Sequence, residues 1–574
     1  MKLVRLFIIF LLSIIFFAFV SPRVKAENEF SVDATVTYDV QDSGKTVVSH
    51  SLVLENNFST LYATNYSLVR TGEIWEVSIP RLGEQTSFRS YQILLKIPSS
   101  FGLEAYISPQ PKDSQITDKG YAYSFNRSDI IQTGISAGFG QFQIFSYSLS
   151  YHLENPLGKS AKVQIAIPPD TAFQKVYIQK LDPKPANVII GPDGNWLAEY
   201  VLTPRQRVDV SVSGSVQIFA SFRTFPKPTD RELSDNLRET EFWQVNDPQI
   251  KSLAAELKTP RAIYEYVASL LKYDFDRVKP NVQRMGALSA LQNPSQAICM
   301  EFTDLFIAIA RAAGIPAREI NGYAYTENPE LQPLSLVADV LHAWPEYYDK
   351  DKGVWIPIDP TWASTSGGIN YFDKLDLRHF AFVIHGESSI TPYPPGSYKL
   401  GSNPQKDVYV SFGKLPEERI SNLHISFAPV RVLPFLNSIY SVRIENPGPQ
   451  AMHDVYSTTY FDNKEVNRNY IEVIPPYSNY KIDVTVPFSV LGKGSPDIVE
   501  VKAGGSSISI ETNKTQVITY SLLTISALLI LVMTAVLIKL RKVTFGRLFA
   551  TIASTSQKIS GKFFKKTPEN KTNP

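Results

Sequence analysis

The run Val517–Ile538 constrains the chain more than any other feature. It holds 22 consecutive residues without a charged side chain, and a helix needs about 20 apolar residues to cross the hydrocarbon core of a bilayer. Lys539, Arg541 and Lys542 follow at once. Because positively charged flanks stay on the cytoplasmic side, residues 517–538 are predicted to be a transmembrane helix and 539–574 a basic cytoplasmic tail, with the body of the chain outside.

The amino-terminal segment has the pattern of a secretory signal. Two basic residues precede an apolar run, Leu6–Val20, and Val24-Lys-Ala26 offers small residues for cleavage. We therefore expect residues 1–26 to be a signal peptide, and an uncleaved anchor is the alternative. The chain has a single cysteine, so no intrachain disulfide can form. An outward-facing body without disulfides is unusual for a eukaryotic secreted protein, and the predicted location is a prokaryotic cell membrane, crossed once.

The net charge is divided unevenly along the chain. Of the total of +2, residues 1–26 carry +4 and residues 539–574 carry +8, which leaves −10 for the body between them. Because the phosphates of nucleic acids repel an acidic body, nucleic acid is excluded as a main partner. With 574 residues, 44% of them hydrophobic, the chain can form three or four domains with cores of their own.

Two parts of the body show the period-two alternation of half-buried strands. In residues 27–225 the alternation is clear in Phe145–Leu153 and Val163–Ile167, and one or two β-sandwich units are expected there. It returns in residues 396–512, as in Ile482–Phe488, which predicts another Ig-like sandwich.

Three short strings in these regions resemble one another. Each is a strand end followed by Glu-Asn and a turn residue: Leu52–Asn57, Tyr151–Pro156 and Val442–Pro447. The strings predict three related sandwich modules, unless strands simply favour this ending before a turn.

The middle of the chain, residues 226–395, changes to helical periodicity. Asp247-Pro248 and Thr259-Pro260 each place a helix N-cap before a proline at the first helical position. Apolar residues follow both pairs at helical spacing. A mixed α and β domain is therefore expected between the two all-β regions.

The only cysteine, Cys299, stands at the start of an apolar stripe with helical spacing. A thiol at a helix N-terminus lies at the positive end of the helix dipole, which favours the nucleophilic thiolate. His342 and Asp359 follow along the chain. Imidazole can exchange a proton with a thiol and a leaving group, and a carboxylate can orient the imidazole. Taken singly, each residue is more often structural; together the three types are what amide acyl transfer through a thioester needs.

Five strings around these residues resemble the transglutaminase-like superfamily. They occur in that family's order: Cys299–Phe306, Arg311–Arg318, Gly322-Tyr323, His342–Trp344 and Asp359–Trp362. The resemblance implies a papain-like α+β fold in which the helix of the nucleophile packs on an antiparallel sheet. It also implies that Cys299 is the nucleophile, His342 the general base and Asp359 the residue that orients the base.

Two positions depart from the family pattern. Ala297 stands where glycine is usual, and Pro345 stands where a β-branched residue is usual. Proline suits an edge strand or a bulge, so an irregular sheet is expected there. The backbone N–H of Cys299 is the expected oxyanion donor. For a second donor the sequence leaves open the Gln296 side chain and an aromatic residue near Tyr273.

No metal ion or other cofactor is expected, and a calcium requirement is left open. Asp349–Gly353 begins like a calcium-binding loop, but Pro360 stands at the twelfth position, where an acidic ligand is required. A hairpin turn is therefore the preferred interpretation. His379 and His385 lie six residues apart on one predicted strand, without a clear third metal ligand.

The predicted fold class is an α+β papain-like transglutaminase core flanked by all-β sandwich (Ig-like) domains, with one C-terminal transmembrane helix. The predicted function is that of a membrane-anchored extracytoplasmic enzyme that attacks an amide of a protein or peptide substrate. The acyl group would pass through a thioester to water, in a peptidase or amidase, or to an amine, in a cross-linker. Envelope components are the other expected partners. The alternative is a non-catalytic surface scaffold or adhesion protein with a relic core.

Overall fold

The computed structural model describes residues 32–54, 57–81, 88–131, 133–279, 282–326, 339, 341–399, 406–417, 422–431, 433, 435–489, 493–541 and 550–554. The predicted signal peptide and most of the predicted basic tail lie outside these residues. The chain forms two compact units, residues 1–419 and 420–574.

The first strands of unit 1 form two sheets around one apolar core. The strands are β1 (Val32–Val40), β2 (Lys45–Leu54), β3 (Asn57–Ser67), β4 (Val69–Thr71), β5 (Ile74–Ile79), β6 (Phe88–Pro98), β7 (Glu104–Ser108), β8 (Asp113–Thr117), β9 (Gly120–Asn126) and β10 (Ile135–Phe139), with a short helix α1 (Arg127–Ile130). The sheet orders are β3-β2-β1-β6-β9-β8 and β4-β5-β10-β7. Leu95 of the first sheet and Phe139 of the second belong to the same buried cluster, so the two sheets pack face to face.

A second pair of sheets follows in the same unit. Its strands are β11 (Phe142–Glu154), β12 (Ala161–Ile167), β13 (Gln174–Asp182), β14 (Asn187–Ile190), β15 (Trp196–Leu202), β16 (Arg207–Phe219) and β21 (Val408–Phe412). The orders are β13-β16-β11-β21 and β12-β15-β14. The alternating residues of β11 are buried as predicted, and Tyr151 donates a hydrogen bond across the core to the Ala166 carbonyl at 2.8 Å. Although β21 lies in the second predicted β region, residues 396–512, it pairs with β11 of the first, so that region begins after β21 and not at residue 396.

The helices of the middle segment surround the long helix that begins at Cys299. They are α2 (Asp230–Asp235), α3 (Pro248–Leu257), α4 (Pro260–Leu270), α5 (Ala287–Gln292), α6 (Cys299–Ala312) and α7 (Pro360–Thr365). The side chains of Asp247 and Thr259 cap α3 and α4 by accepting backbone N–H bonds, which confirms both predicted helix starts. The apolar side chains of α6 form the centre of the segment's core.

An antiparallel sheet of four strands packs against α6. Its strands are β17 (Ala317–Ala324), β18 (His342–Asp349), β19 (Val354–Pro357) and β20 (His379–His385), in the order β19-β18-β17-β20. The expectation that Pro345 marks an edge strand or a bulge is wrong, because β18 is an interior strand and its pairing with β17 is regular there. The carbonyl of Pro345 accepts from Ile358 just beyond the end of β19. The N–H that proline lacks would also point toward this side and not toward β17, so no hydrogen bond between β18 and β17 is lost.

Unit 2 contains two further sheets on one core, followed by a long apolar helix. The strands are β22 (His424–Arg431), β23 (Ser438–Glu445), β24 (Met452–Phe461), β25 (Lys464–Ile474), β26 (Asn479–Val486), β27 (Ile498–Ala503) and β28 (Ser506–Glu511), in the orders β22-β23-β26 and β25-β24-β27-β28. Val442 and Val501, one from each sheet, share a buried cluster. Helix α8 (Lys514–Arg541) is long and apolar enough to cross a membrane.

Candidate active site

Cys299 is the first residue of α6 and is 7% exposed. The helix starts here because the buried Glu301 carboxylate accepts a bond from the Ile298 N–H at 3.0 Å, which satisfies an amide that the helix itself leaves without an acceptor. At the other end Gly314, with φ 77°, lets the chain leave the helix. The predicted start of the helix at Cys299 is thus confirmed.

The structure brings His342 and Asp359 together from two separate elements. His342 is the first residue of β18, and Asp359 is the N-cap of α7, where its Oδ1 accepts the Trp362 N–H at 3.0 Å. The other carboxylate oxygen, Oδ2, lies 2.8 Å from Nε2 of His342. Since an ionised carboxylate only accepts, Nε2 of His342 carries the proton in this bond.

Cys299 completes this line of hydrogen bonds. Its thiol acts on His342 as a hydrogen-bonding partner, and because Nε2 already faces Asp359, Nδ1 is the ring nitrogen that remains for the thiol. Burial by itself lowers the pKa of His342, but the charge of Asp359 and the bonds to Asp359 and Cys299 outweigh it and raise this pKa to about 9. Burial alone would raise the pKa of Asp359, but the charges of His342 and His379 and the hydrogen bonds to both rings hold it far below its ordinary value. The arrangement therefore favours an imidazolium next to the thiol.

The sequence interpretation missed a second histidine on Asp359. Nε2 of His379, at the start of β20, lies 3.0 Å from the same Oδ2 that binds His342, and its Nδ1 lies 3.2 Å from Oδ1 of Asp376. Burial lowers the pKa of His379, but the bonds to the two carboxylates outweigh this effect and raise it to about 9. No local pattern marks the residue, because Asp359, the carboxylate that it shares with His342, comes from another element.

Aromatic rings enclose both histidines. The Trp362 ring lies 5.4 Å from His342 and 4.6 Å from His379 between centroids, and Trp344 lies 4.9 Å from His379. His342 and Asp359 are at most 1% exposed. In such a dry surrounding the charges in the line are poorly screened, so each carboxylate acts strongly on its neighbouring imidazole.

Buried ion pairs hold α6 in place behind the thiol. Arg284 lies 2.9 Å from Asp304 of α6 and 3.0 Å from Glu319 of β17, and Glu319 also binds His385 at 3.0 Å. Burying these acids is tolerable because each has a charged partner. His385 lies in this network at the end of β20, whereas His379 lies at its start, so the two histidines have different partners.

The residues before Cys299 bear on the open question of a second oxyanion donor. Ala297 has φ −85° and ψ 143°, an extended conformation that does not require the family's usual glycine. The Gln296 side chain is exposed. Tyr273 pairs with Ala297 through its backbone, and burial together with the negative charges of Cys299 and Asp359 raises the pKa of Tyr273 well above its ordinary value. Its phenol therefore stays protonated near the thiol.

Two places in this domain bring together side chains of the types that bind metal ions. Ligand atoms of His342, Asp359 and His379 lie within 4.8 Å of one another, but Nε2 of His342 cannot bind a metal ion and donate to Asp359 at once, so we interpret the cluster as hydrogen-bonded. The Asp349–Gly353 segment is the predicted hairpin turn between β18 and β19, in which Asp349 accepts bonds from the backbone.

Known proteins resemble the middle of this chain in sequence. Residues 244–360, which include Cys299, His342 and Asp359, match the model of the transglutaminase-like superfamily. A protein-glutamine gamma-glutamyltransferase of Pseudomonas aeruginosa is 31% identical over 133 residues, which are 22% of this chain and 20% of that protein. An uncharacterised protein of Mycobacterium tuberculosis is 25% identical over 171 residues, 26% of this chain and 54% of the other. The chain thus spans about a fifth to a half of these relatives.

Solved structures resemble parts of the chain at low overall similarity. A putative cysteine protease from Cytophaga hutchinsonii has a TM-score of 0.27 and 17% identity, covering 48% of this chain and 98% of that one. Red sea bream transglutaminase has a TM-score of 0.20 and 13% identity, covering 63% and 80%. On the match over residues 244–360, the middle of this chain is a domain of the transglutaminase-like superfamily.

Proposed function

We propose that the chain is a membrane-anchored enzyme that transfers the acyl group of a protein or peptide amide through a thioester on Cys299. The observation that carries this proposal is the buried cluster in which Cys299 acts on His342 and His342 bonds to Asp359 at 2.8 Å. A thiolate–imidazolium pair at a helix N-terminus is the form in which a cysteine attacks a carbonyl carbon.

In the first half-reaction the Cys299 sulfur attacks the amide carbon. The negative charge that develops on the carbonyl oxygen is stabilised by the Cys299 N–H, one of the amides that the first turn of α6 leaves without an intrahelical acceptor. The imidazolium of His342 gives its proton to the departing nitrogen, so that ammonia or an amine leaves and a thioester remains.

In the second half-reaction His342, now neutral, takes a proton from the incoming nucleophile. Water yields an acid, whereas a primary amine yields a new amide; either step breaks the thioester and returns the thiol. Asp359 stabilises the imidazolium that forms each time and keeps Nδ1 directed at the sulfur.

The proposed location rests on α8 and on the charge pattern. Helix α8 is apolar and ends in Lys539 and Arg541, and basic residues favour the cytoplasmic side. The domain of residues 244–360 would then lie outside the cytoplasm. The β regions would hold it away from the membrane or bind envelope components.

Alkylation of the full-length chain in detergent tests the proposal directly. Because Cys299 is the only cysteine, every labelled thiol reports this site. We expect iodoacetamide to react at pH 6 at least ten times faster than with a free cysteine, whose pKa is about 8.5. This advantage should disappear in His342→Ala. His424→Ala, which removes an exposed histidine, is the matched control and should react like the wild type.

Activity is then measured with a glutamine-rich protein and a fluorescent primary amine. Amine incorporation indicates a cross-linker, ammonia release without incorporation an amidase, and cleaved peptide bonds a peptidase; each should vanish in Cys299→Ser. If Cys299 is alkylated as slowly as free cysteine and His342→Ala does not change this rate, the result contradicts the proposed enzymatic function and favours the non-catalytic scaffold.

A further inference from the structure

One carboxylate oxygen holds two histidines in the site. Oδ2 of Asp359 lies 2.8 Å from Nε2 of His342 and 3.0 Å from Nε2 of His379. The ring centroids of the two histidines are 5.7 Å apart. His379 is 5% exposed, so solvent water does not explain how its polar atoms are satisfied.

The hydrogen bonds of His379 determine its protonation state. Both of its ring nitrogens face a carboxylate oxygen, Oδ2 of Asp359 and Oδ1 of Asp376. An ionised carboxylate accepts bonds and donates none, so each ring nitrogen must carry a proton. A neutral ring would aim a lone pair at a carboxylate oxygen in a buried place. Two carboxylates therefore require an imidazolium at His379.

The backbone is bent to supply the second carboxylate. Leu377 is buried and has φ 61°, a left-handed conformation that is unfavourable for a large side chain. This turn lets Oδ1 of Asp376 accept the Arg378 N–H at 3.1 Å while it binds His379. The Arg378 guanidinium is itself paired with Glu76 at 2.6 and 2.8 Å, so it does not replace His379 as the partner of Asp376.

We propose that His379 is a positioning residue which, as a cation paired with Asp376, fixes Asp359 and sets the charge of the thiol–imidazole pair. The inference rests on the proposed function and adds to it the residue that sets the working pH range. His379 acts through Asp359 and is not placed in contact with substrate.

The sign of its effect follows from the surrounding charges. Charged and titratable groups surround His379 and Asp376 on several sides. They belong to β5, β7, β18, α7 and the segment before β20, and some of them line a cavity that His379 also lines. These groups are His342, Asp359, Arg378, Glu76, Tyr106, Glu346, Lys352, Asp373 and Lys374. As a pair, His379 and Asp376 add no net charge. Removing His379 alone leaves one uncompensated negative charge.

His379→Gln tests the proposal, because the amide can donate to Asp359 but carries no charge. Without the nearby cation the thiolate forms less readily, and the imidazolium of His342 loses its proton less readily. The rate of alkylation plotted against pH has two midpoints, one for forming the thiolate–imidazolium pair and one for deprotonating its imidazolium. Both midpoints should therefore rise by about one to two pH units, the effect of a unit charge at this distance. These midpoints belong to the coupled pair.

Three variants separate charge from packing. The double variant His379→Gln/Asp376→Asn removes both charges of the neutral pair, so its midpoints should return to within about half a pH unit of wild type. His385→Gln removes another buried histidine of β20 that is paired with a carboxylate, and its midpoints should stay at the wild-type values. If His379→Gln does not fold, His379→Asn makes the same test with the same expected sign.

The outcomes distinguish this inference from the proposed function. If the alkylation profile of the wild type has no midpoint that changes in His342→Ala, both the proposed function and the role of His379 are overturned. A wild-type profile with that midpoint, together with a His379→Gln profile whose midpoints are unchanged or fall, overturns the role of His379 alone. Upward shifts in His379→Gln that the double variant reverses support it.

Discussion

Asn155 and Asn446 make the same set of hydrogen bonds in two different β regions. In each region, Nδ2 of the asparagine donates to the carbonyl of the residue four positions later. It also donates to two consecutive carbonyls, that of the last residue of another strand and that of the residue after it. Oδ1 accepts a bond from the backbone N–H of the residue two positions later. The distances are 2.9, 3.2, 2.8 and 3.0 Å at Asn155 and 2.7, 3.2, 3.0 and 3.0 Å at Asn446.

The strands around the two asparagines also pair alike. In unit 1, β11 pairs with β16 and β12 with β15; in unit 2, β23 pairs with β26 and β24 with β25. The asparagine follows β11 in one and β23 in the other. This common arrangement supports a relationship between two of the three predicted modules, whereas Glu55 and Asn56 of the third string lie outside the described residues.

Asn446→Ala should destabilise unit 2 by about 2–3 kcal/mol, because several buried backbone groups lose their partner together. The measurement is limited proteolysis of the full-length chain during a urea titration, with cleavage mapped to residues 420–541. Asn467→Ala, at an exposed position of β25, is the matched control and should lie within about 0.5 kcal/mol of wild type. Equal proteolysis of both variants would show that the asparagine bonds contribute little.

The stability of the chain should fall in mild alkali. The pKa values of His342 and His379 are raised to about 9 in the folded chain, against about 6.5 for an unfolded histidine. A raised pKa means that the folded state binds the proton more tightly. This tighter proton binding therefore stabilises the folded chain fully below about pH 6.5, and the stabilisation is lost as the pH rises through 9.

Thermal unfolding between pH 6 and 10 measures this loss, which should be on the order of 1–3 kcal/mol. In Asp359→Asn the shared carboxylate that raises both pKa values is absent, so the melting temperature should depend less on pH over the same interval. A wild-type curve as flat as that of Asp359→Asn would contradict the assigned protonation states.

Tyr273→Phe should slow acyl transfer about 10- to 100-fold. The expected reason is that the protonated phenol beside Cys299 donates to the developing oxyanion, and phenylalanine cannot. The exposed Gln296 side chain makes no such contribution, so Gln296→Ala should change the rate less than about two-fold. Single-turnover acylation rates at one pH compare the variants, and a larger effect for Gln296→Ala would reverse the assignment.

Arg284→Met should destabilise unit 1 by about 3–5 kcal/mol, because it leaves the buried carboxylates of Asp304 and Glu319 without their shared partner. Arg70→Met is the control, since the pair of Arg70 with Glu73 is exposed and such pairs contribute at most about 1 kcal/mol. Urea unfolding followed by tryptophan fluorescence reports unit 1, because all six tryptophans lie there. Similar losses in both variants would contradict a special role for the buried network.

Features with a local cause were predictable from the sequence. The caps of α3 and α4, the helix after Cys299, the alternation of β11 and the apolar α8 depend on residues that are neighbours along the chain. Cys299, His342 and Asp359 were also identified, since each lies in a short string typical of the superfamily. The structure brings these three together, and their catalytic roles are the subject of the proposal.

Features with a distant cause were decided by the tertiary structure. His379 reaches Asp359 only because β20 pairs with β17 while α7 begins beside β18, and Asp376 reaches His379 only through the left-handed turn at Leu377. Pro345 fits an interior strand because β19 ends one position earlier. A sequence pattern reports which faces of an element are apolar, but charges and hydrogen bonds act through space, so the partner of a buried polar group depends on the packing of the whole domain.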